Sequence, residues 1–210
     1  MNVRSLSAVG LVALVAVVGV VALTGGSDEP RPAAAEPDLA PLPTVGSAAT
    51  TTTELPPDLP DRGQHPELRA LDGWLQIEVT SLEELRGQVV AVQFWTFGCY
   101  NCKNTLPALQ QLYADYREQG FEIVGIHAPE FDFEADVDNI VEAAEELGVT
   151  WPIALDPDKR TFHHWQEGPR AYWPRIYLLD RDGHIRYDHT GEGRYDEIDA
   201  AVRALLAEPT

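Results

Sequence analysis

Cys99 and Cys102 are the two cysteines of a 210-residue chain, and two residues separate them. Thiols this close cannot staple distant parts of a fold. They are a redox pair, half of a metal site, or a small structural disulfide. A structural zinc site usually needs four ligands. No second C-x-x-C exists, so His163-His164 would have to complete it, and His127, His184 and His189 show no ligand spacing. A disulfide closing so short a loop adds little stability. A redox pair needs a thiolate to attack a disulfide and a second thiol to resolve the mixed disulfide. It needs neither a cofactor nor a metal.

The cysteines lie in Phe94-Trp95-Thr96-Phe97-Gly98-Cys99-Tyr100-Asn101-Cys102-Lys103. An apolar, β-branched run precedes them and a helical pattern follows. Cys99 therefore falls at or just before a helix N-terminus, where unpaired N–H groups and the dipole favour an anion. Cys102 is on the same side of the first turn, facing back toward Cys99 and more deeply buried. Far downstream, Tyr172-Trp173-Pro174 enters another apolar run. Two readings of Pro174 stand. It is an ordinary trans proline opening a strand, or a cis proline that brings the Trp173 backbone beside the cysteines. Trp95, Thr96, Phe97, Tyr100, Asn101, His127 and Trp173 form the expected rim, with core packing the alternative for Trp95.

The elements that must hold these residues follow from apolar periodicity. Trp74 to Val79 alternates as a short strand, and residues 81–85 make a turn ending at Gly87. Val89 to Trp95 and Phe121 to His127 read as buried strands. Lys103 to Gln119 is helical and closes at Gly120. Asp132 to Leu147 is an acidic amphipathic helix. Ile153 to Leu155 is a strand and Lys159 to Gln166 a helical turn. Arg175 to Leu179 and His184 to Asp188 form a hairpin around Asp182-Gly183, and Arg194 to Ala207 is the last helix. Strands alternating with helices predict an α/β fold, a mixed sheet with helices on both faces.

Residues 1–24 form the first of three expected regions. Ala8 to Leu23 is apolar, with Arg4 before it and Asp28 and Glu29 after it. That charge order predicts an N-in, C-out segment. As a helix it spans about 24 Å, short of a bilayer core of about 30 Å. It exceeds the usual signal-peptide apolar region, which favours a retained anchor over a cleaved signal. Residues 25–64 are rich in Pro, Ala and Thr and are expected to be a disordered linker. Residues 65–210 make the globular domain, placed by this reading on the extracytoplasmic face of the membrane, or secreted if the N-terminal segment is cleaved. The net charge is −19, from 34 acidic and 15 basic residues. That argues against nucleic acid and against docking on anionic lipid through a basic patch.

The quoted motifs resemble the thioredoxin superfamily, and more narrowly the membrane-anchored TlpA-like thioredoxins and the C-terminal thioredoxin domain of DipZ-type proteins. The resemblance runs from about Leu71 to Leu206. It rests on Trp95-Thr96, Cys99-Tyr100-Asn101-Cys102, Thr105-Leu106-Pro107, Val124 to Phe131, Ile153 to Asp156, Tyr172-Trp173-Pro174 and Gly191 to Asp196. It implies a thioredoxin-like three-layer sandwich with an N-terminal β-hairpin extension. It further implies Cys99 as nucleophile, Cys102 as resolving cysteine and Pro174 as the cis-proline. Two departures stand out. Gln93 occupies the place of the buried acid six residues before the first cysteine, and Thr105 replaces a Glu three residues after the second. Neither takes a proton at neutral pH. Glu130, after a strand expected to run parallel to the one before the cysteines, is the candidate acceptor for the Cys102 proton.

The function so implied is thiol–disulfide exchange on exported proteins, more in the reducing than the oxidising direction, with cytochrome c maturation as one use. Electrons would come from a membrane protein of the CcdA/DsbD type. Two alternatives differ in class. A peroxiredoxin-like thiol peroxidase fits Thr96 three residues before Cys99, although Val92 stands where its proline is expected. A non-catalytic anchored binding module fits the fold but not the retention of both cysteines.

Overall fold

The structure, a computed structural model, describes residues 59–76, 79–166 and 171–209. The expected anchor at 1–24, and the expected linker up to residue 58, lie outside these residues. The strands are β1 (Gly73–Leu75), β2 (Val89–Trp95), β3 (Phe121–His127), β4 (Ile153–Leu155), β5 (Arg175–Leu179) and β6 (Ile185–Thr190). The helices are α1 (Tyr100–Tyr116), α2 (Val137–Glu146), α3 (Arg160–Trp165) and α4 (Tyr195–Ala207). They form one mixed sheet in the order β1-β4-β3-β2-β5-β6.

β2 and β3 pair in parallel at the centre and are buried along their whole length. Their runs, apolar but for Gln93, Glu122 and His127, are what a strand covered on both faces favours. One face packs Leu106 and Leu109 of α1, Ile140 of α2 and Val202 of α4 against Ala91, Ile123 and Leu178. The other packs Phe162 and Trp165 of α3, with Leu82 and Leu85, against Val92, Val124 and Tyr177. The expected α/β sandwich is therefore present, with α1, α2 and α4 on one face and α3 on the other.

Among the described residues the expected N-terminal β-hairpin does not form. β1 pairs antiparallel with β4 at the sheet edge. Both edges of β2 are taken, by β3 and β5, so β1 cannot pair with it and lies instead on the outer edge of β4. The acidic stretch expected as one helix is also divided. Asp132–Ala135 is a 3-10 turn, and α2 starts afresh because the Asp136 carboxylate accepts the N–H groups of Asp138 and Asn139. A side-chain oxygen at that position satisfies donors that no helical carbonyl can reach.

Residues 59–65 lie along the β5–β6 hairpin. The Leu59 carbonyl accepts from Arg186, Arg62 N–H donates to the Ile185 carbonyl, and His65 N–H donates to the Gly183 carbonyl. The last residues of the expected linker, 59–64, are thus bonded to the domain.

Candidate active site

β2 ends at Trp95 and α1 begins at Tyr100, so Cys99 stands at the N-cap of α1. The helix starts three residues earlier than its apolar periodicity suggests because the Cys99 sulfur does the capping. It accepts the Cys102 N–H at 3.3 Å. A sulfur that accepts there gains from the orphan donors and the dipole as a thiolate. Both cysteines are free. Cys99 is partly exposed, whereas Cys102 is fully buried.

Their acidities diverge accordingly. The Cys102 thiol and backbone N–H hydrogen-bond Cys99 and bring its pKa down to about 7, against desolvation and the charge of Glu130. Cys102 is pushed up, first by burial, then by its bond to Cys99 and by the charge of Glu134, while the Thr96 N–H works the other way. One sulfur is an accessible thiolate near neutral pH and the other a protected thiol. This is the asymmetry that attack and resolution require.

The Trp173–Pro174 bond is cis and Pro174 is buried. Because Phe94 pairs with Arg175 across β2 and β5, Pro174 lies level with the end of β2, where the cysteines begin. Trp173 is half-buried and stacks on Phe162, with ring centroids 4.2 Å apart. The Gly191 N–H donates to the Pro174 carbonyl at 2.8 Å, and the next residue, Glu192, accepts from the Asn104 side chain at 2.7 Å. The Gly191–Arg194 turn thus ties the start of β5 to the start of α1.

The expected rim separates into two levels. Tyr100, at 72% exposure, and Asn101 face solvent, and Phe97 is half-buried. Trp95, Thr96 and His127 are buried beneath the cysteines instead of lying on the rim. Trp95 packs over Gly125, where an added Cβ would come within 2.8 Å of the indole nitrogen. The Thr96 hydroxyl and His127 Nε2 are 3.3 Å apart, and the imidazole stacks on Phe97. Burial holds the His127 pKa down to about 4, so the ring is neutral at pH 7. Among the described residues no cluster of His, Cys, Asp and Glu could hold a metal ion.

The two departures from the family pattern meet each other. The Gln93 amide donates to the Thr105 hydroxyl at 3.4 Å, and that hydroxyl donates to the Cys102 carbonyl at 2.7 Å. An uncharged pair fills the buried space under Cys102. Glu130 is exposed, and its charge raises the Cys99 pKa. The carboxylate built into the site is Glu134, fully buried, whose Oε1 accepts the Gly98 N–H at 2.8 Å. Periodicity does not separate Glu134 from the acids around it. The one available signal was its counterpart, a glycine directly before Cys99.

The AhpC/TSA family model matches residues 64–188. Protein DipZ of Mycobacterium tuberculosis is 37% identical over 147 residues, which are 69% of this chain and 21% of that protein. The chain therefore spans about a fifth of that relative's length. Thiol-disulfide oxidoreductase YkuV of Bacillus subtilis is 28% identical over 143 residues, 68% of this chain and 94% of that one. The crystal structure of a thiol-disulfide isomerase from Corynebacterium glutamicum superposes with a TM-score of 0.60 at 26% identity, covering 69% of this chain and 97% of that one. A sheet of this order, a cysteine-capped helix at the end of its central strand and a match over most of the domain lead to one assignment: the chain belongs to the AhpC/TSA family and has the thioredoxin-like fold.

Proposed function

We propose that this chain is a thiol–disulfide oxidoreductase that acts on exported proteins, in the reducing direction. The observation that carries the reading is the inequality of the two sulfurs, with Cys99 a partly exposed, acidic thiol and Cys102 a buried one. Cys99 attacks a substrate disulfide, giving a mixed disulfide and releasing one substrate thiol. Cys102 then loses its proton and attacks Cys99. This releases the second substrate thiol and leaves the Cys99–Cys102 disulfide. Two electrons pass to the substrate, and a thiol donor must return them.

The charges of Glu130 and Glu134 oppose thiolate formation at Cys99 and Cys102 respectively. The net lowering of the Cys99 pKa stabilises the reduced pair, so the reducing direction rests on the DipZ-type resemblance and not on these charges. The extracytoplasmic setting rests on the apolar run Ala8 to Leu23 and its flanking charges. A membrane electron donor of the CcdA/DsbD type and a use in cytochrome c maturation rest on the DipZ-type resemblance.

The test is a Cys102→Ser variant expressed with its own leader, from which mixed disulfides on Cys99 are collected, together with the equilibrium of the wild-type pair against glutathione. Trapped exported proteins and a pair more reducing than glutathione are expected. A pair more oxidising than glutathione would reverse the direction. No trapped partner and no disulfide exchange would leave a binding module.

A further inference from the structure

Glu134 lies on the 3-10 turn Asp132–Ala135, which the exchange steps do not use. Its side chain is wholly buried, and its two oxygens accept three backbone N–H groups. Oε1 takes Gly98 at 2.8 Å, while Oε2 takes Glu130 at 2.6 Å and Phe131 at 2.9 Å. A carboxylate is buried only when its lone pairs are met in this way. The bonds join two loops, the one that follows β3 and the one that leads from β2 into Cys99.

Gly98 is fitted to this arrangement. Its φ is not among the positive ones, so its backbone does not demand glycine. A Cβ at 98 would instead fall on Glu134 Oε1. The position is glycine because the carboxylate takes the space. The peptide bonded to Oε1 joins Phe97 to Gly98, one residue short of Cys99, so a shift of it moves the sulfur relative to the first turn of α1.

We propose that Glu134 is a positioning residue of the dithiol site, its carboxylate holding the Gly98 peptide that delivers Cys99 to the start of α1. The inference rests on the exchange function proposed above but is read on a different observable. Both oxygens of Glu134 are already engaged, so it is not a free acceptor for the Cys102 proton. Its charge raises the pKa of both Cys102 and His127, while the carboxylate that raises Cys99 is Glu130. Removing a negative charge could only lower the Cys99 pKa, so an upward shift on loss of Glu134 comes through position. In Glu134→Gln one oxygen remains. It can serve Gly98 or the Glu130–Phe131 pair, and the amide NH2 then confronts the N–H groups on the other side.

The experiment follows alkylation of Cys99 by iodoacetamide across pH, in the reduced full chain and in a Cys102→Ser background that isolates the first thiol. Glu134→Gln is expected to move the Cys99 midpoint upward and to slow alkylation at pH 7 by about three- to tenfold. Gly98→Ala is expected to do the same in the native background and to add less than about twofold in Glu134→Ala, because the two changes break one contact. A residue that only stabilises the fold would lower the unfolding midpoint and leave the Cys99 midpoint in place. An unchanged Cys99 midpoint in folded Glu134→Gln, or additive effects of Gly98→Ala and Glu134→Ala, would overturn the proposal. Should the variants not fold, amide exchange in the wild type decides. The Gly98 N–H is expected to be protected despite its exposed position, and free exchange would overturn the proposal. Alkylation needs no protein substrate, so failure here is distinct from a failure of the wild type to reduce disulfides.

Discussion

Cys99 and Cys102 share one turn of helix and almost nothing else. The first is capped into a thiolate near pH 7, and the second is kept protonated by burial. The linkage to stability has two opposite signs. Cys99 ionises at about 7 in the fold against an ordinary 9.0, so the reduced protein gains stability as pH rises from 7 to 9 and loses that gain as pH falls through 7. Cys102 is raised above its ordinary value, so above pH 9 the unfolded chain releases a proton that the folded chain retains, and stability falls. Urea midpoints of the reduced wild type should therefore rise between pH 6.5 and 8.5 relative to Cys99→Ser. Equal slopes for the two proteins would show that the sulfur is not capped. At this scale the cysteines were legible because their spacing and flanks state their chemistry. Glu134 was not, because it sits among acids of identical type, and only a contact across 36 positions distinguishes it.

The elements were legible wherever a face is fully buried. β2 and β3 appear in the sequence with the bounds they have in the fold, since a strand covered on both sides admits few polar residues. Pairing was harder. β1 goes to β4 because of which edges are open, a property of the assembled sheet that no local pattern encodes. Apolar periodicity places the start of α1 late, at Lys103, whereas the strand-to-helix junction places it at Cys99, which is its cap in the fold. The end of α4 is likewise closed from a distance. Arg181, in the β5–β6 turn, donates to the Leu205, Leu206 and Glu208 carbonyls at 2.9–3.0 Å. These are among the acceptors that a helix leaves unpaired at its C-terminus, and a guanidinium there also meets the negative end of the dipole. Arg181→Ala should cost about 1–3 kcal/mol, read as a lowered urea midpoint with an unchanged Cys99 alkylation rate. A loss of alkylation with full stability would contradict a role confined to the helix end.

Across the whole molecule, 34 acids against 15 bases leave a net charge of −19. Among the described residues few charges are neutralised at close range by ion pairs with low exposure. Arg175 with Asp188 at 2.7 Å and Arg186 with Asp180 at 3.2 Å are two, and both brace the β5–β6 hairpin. Repulsion among the remaining acids opposes compaction and is screened by salt, the Debye length falling from about 10 Å at 0.1 M to about 3 Å at 1 M. The thermal midpoint should rise by a few degrees between 0.1 M and 1 M sodium chloride. A flat or falling midpoint would mean that the acids are already spaced beyond one another's reach. Composition gave the sign of this effect. It gave no hint that the two least exposed ion pairs among the described residues both lie on one hairpin.

That hairpin is also where residues 59–65 attach. Ile185, their partner, lies at the Val90 end of the sheet, while Thr190 lies at the Phe94 end beside the cysteines. The domain thus has two poles, one reactive and one for fastening. Residues 62–65 are fastened at the Gly183–Ile185 end, the end of the sheet opposite the cysteines. A bulky reporter grafted just ahead of Leu59 should leave Cys99 as open to a large disulfide partner as it is in the ungrafted protein. A chain so fastened can be held by its back without hiding its face.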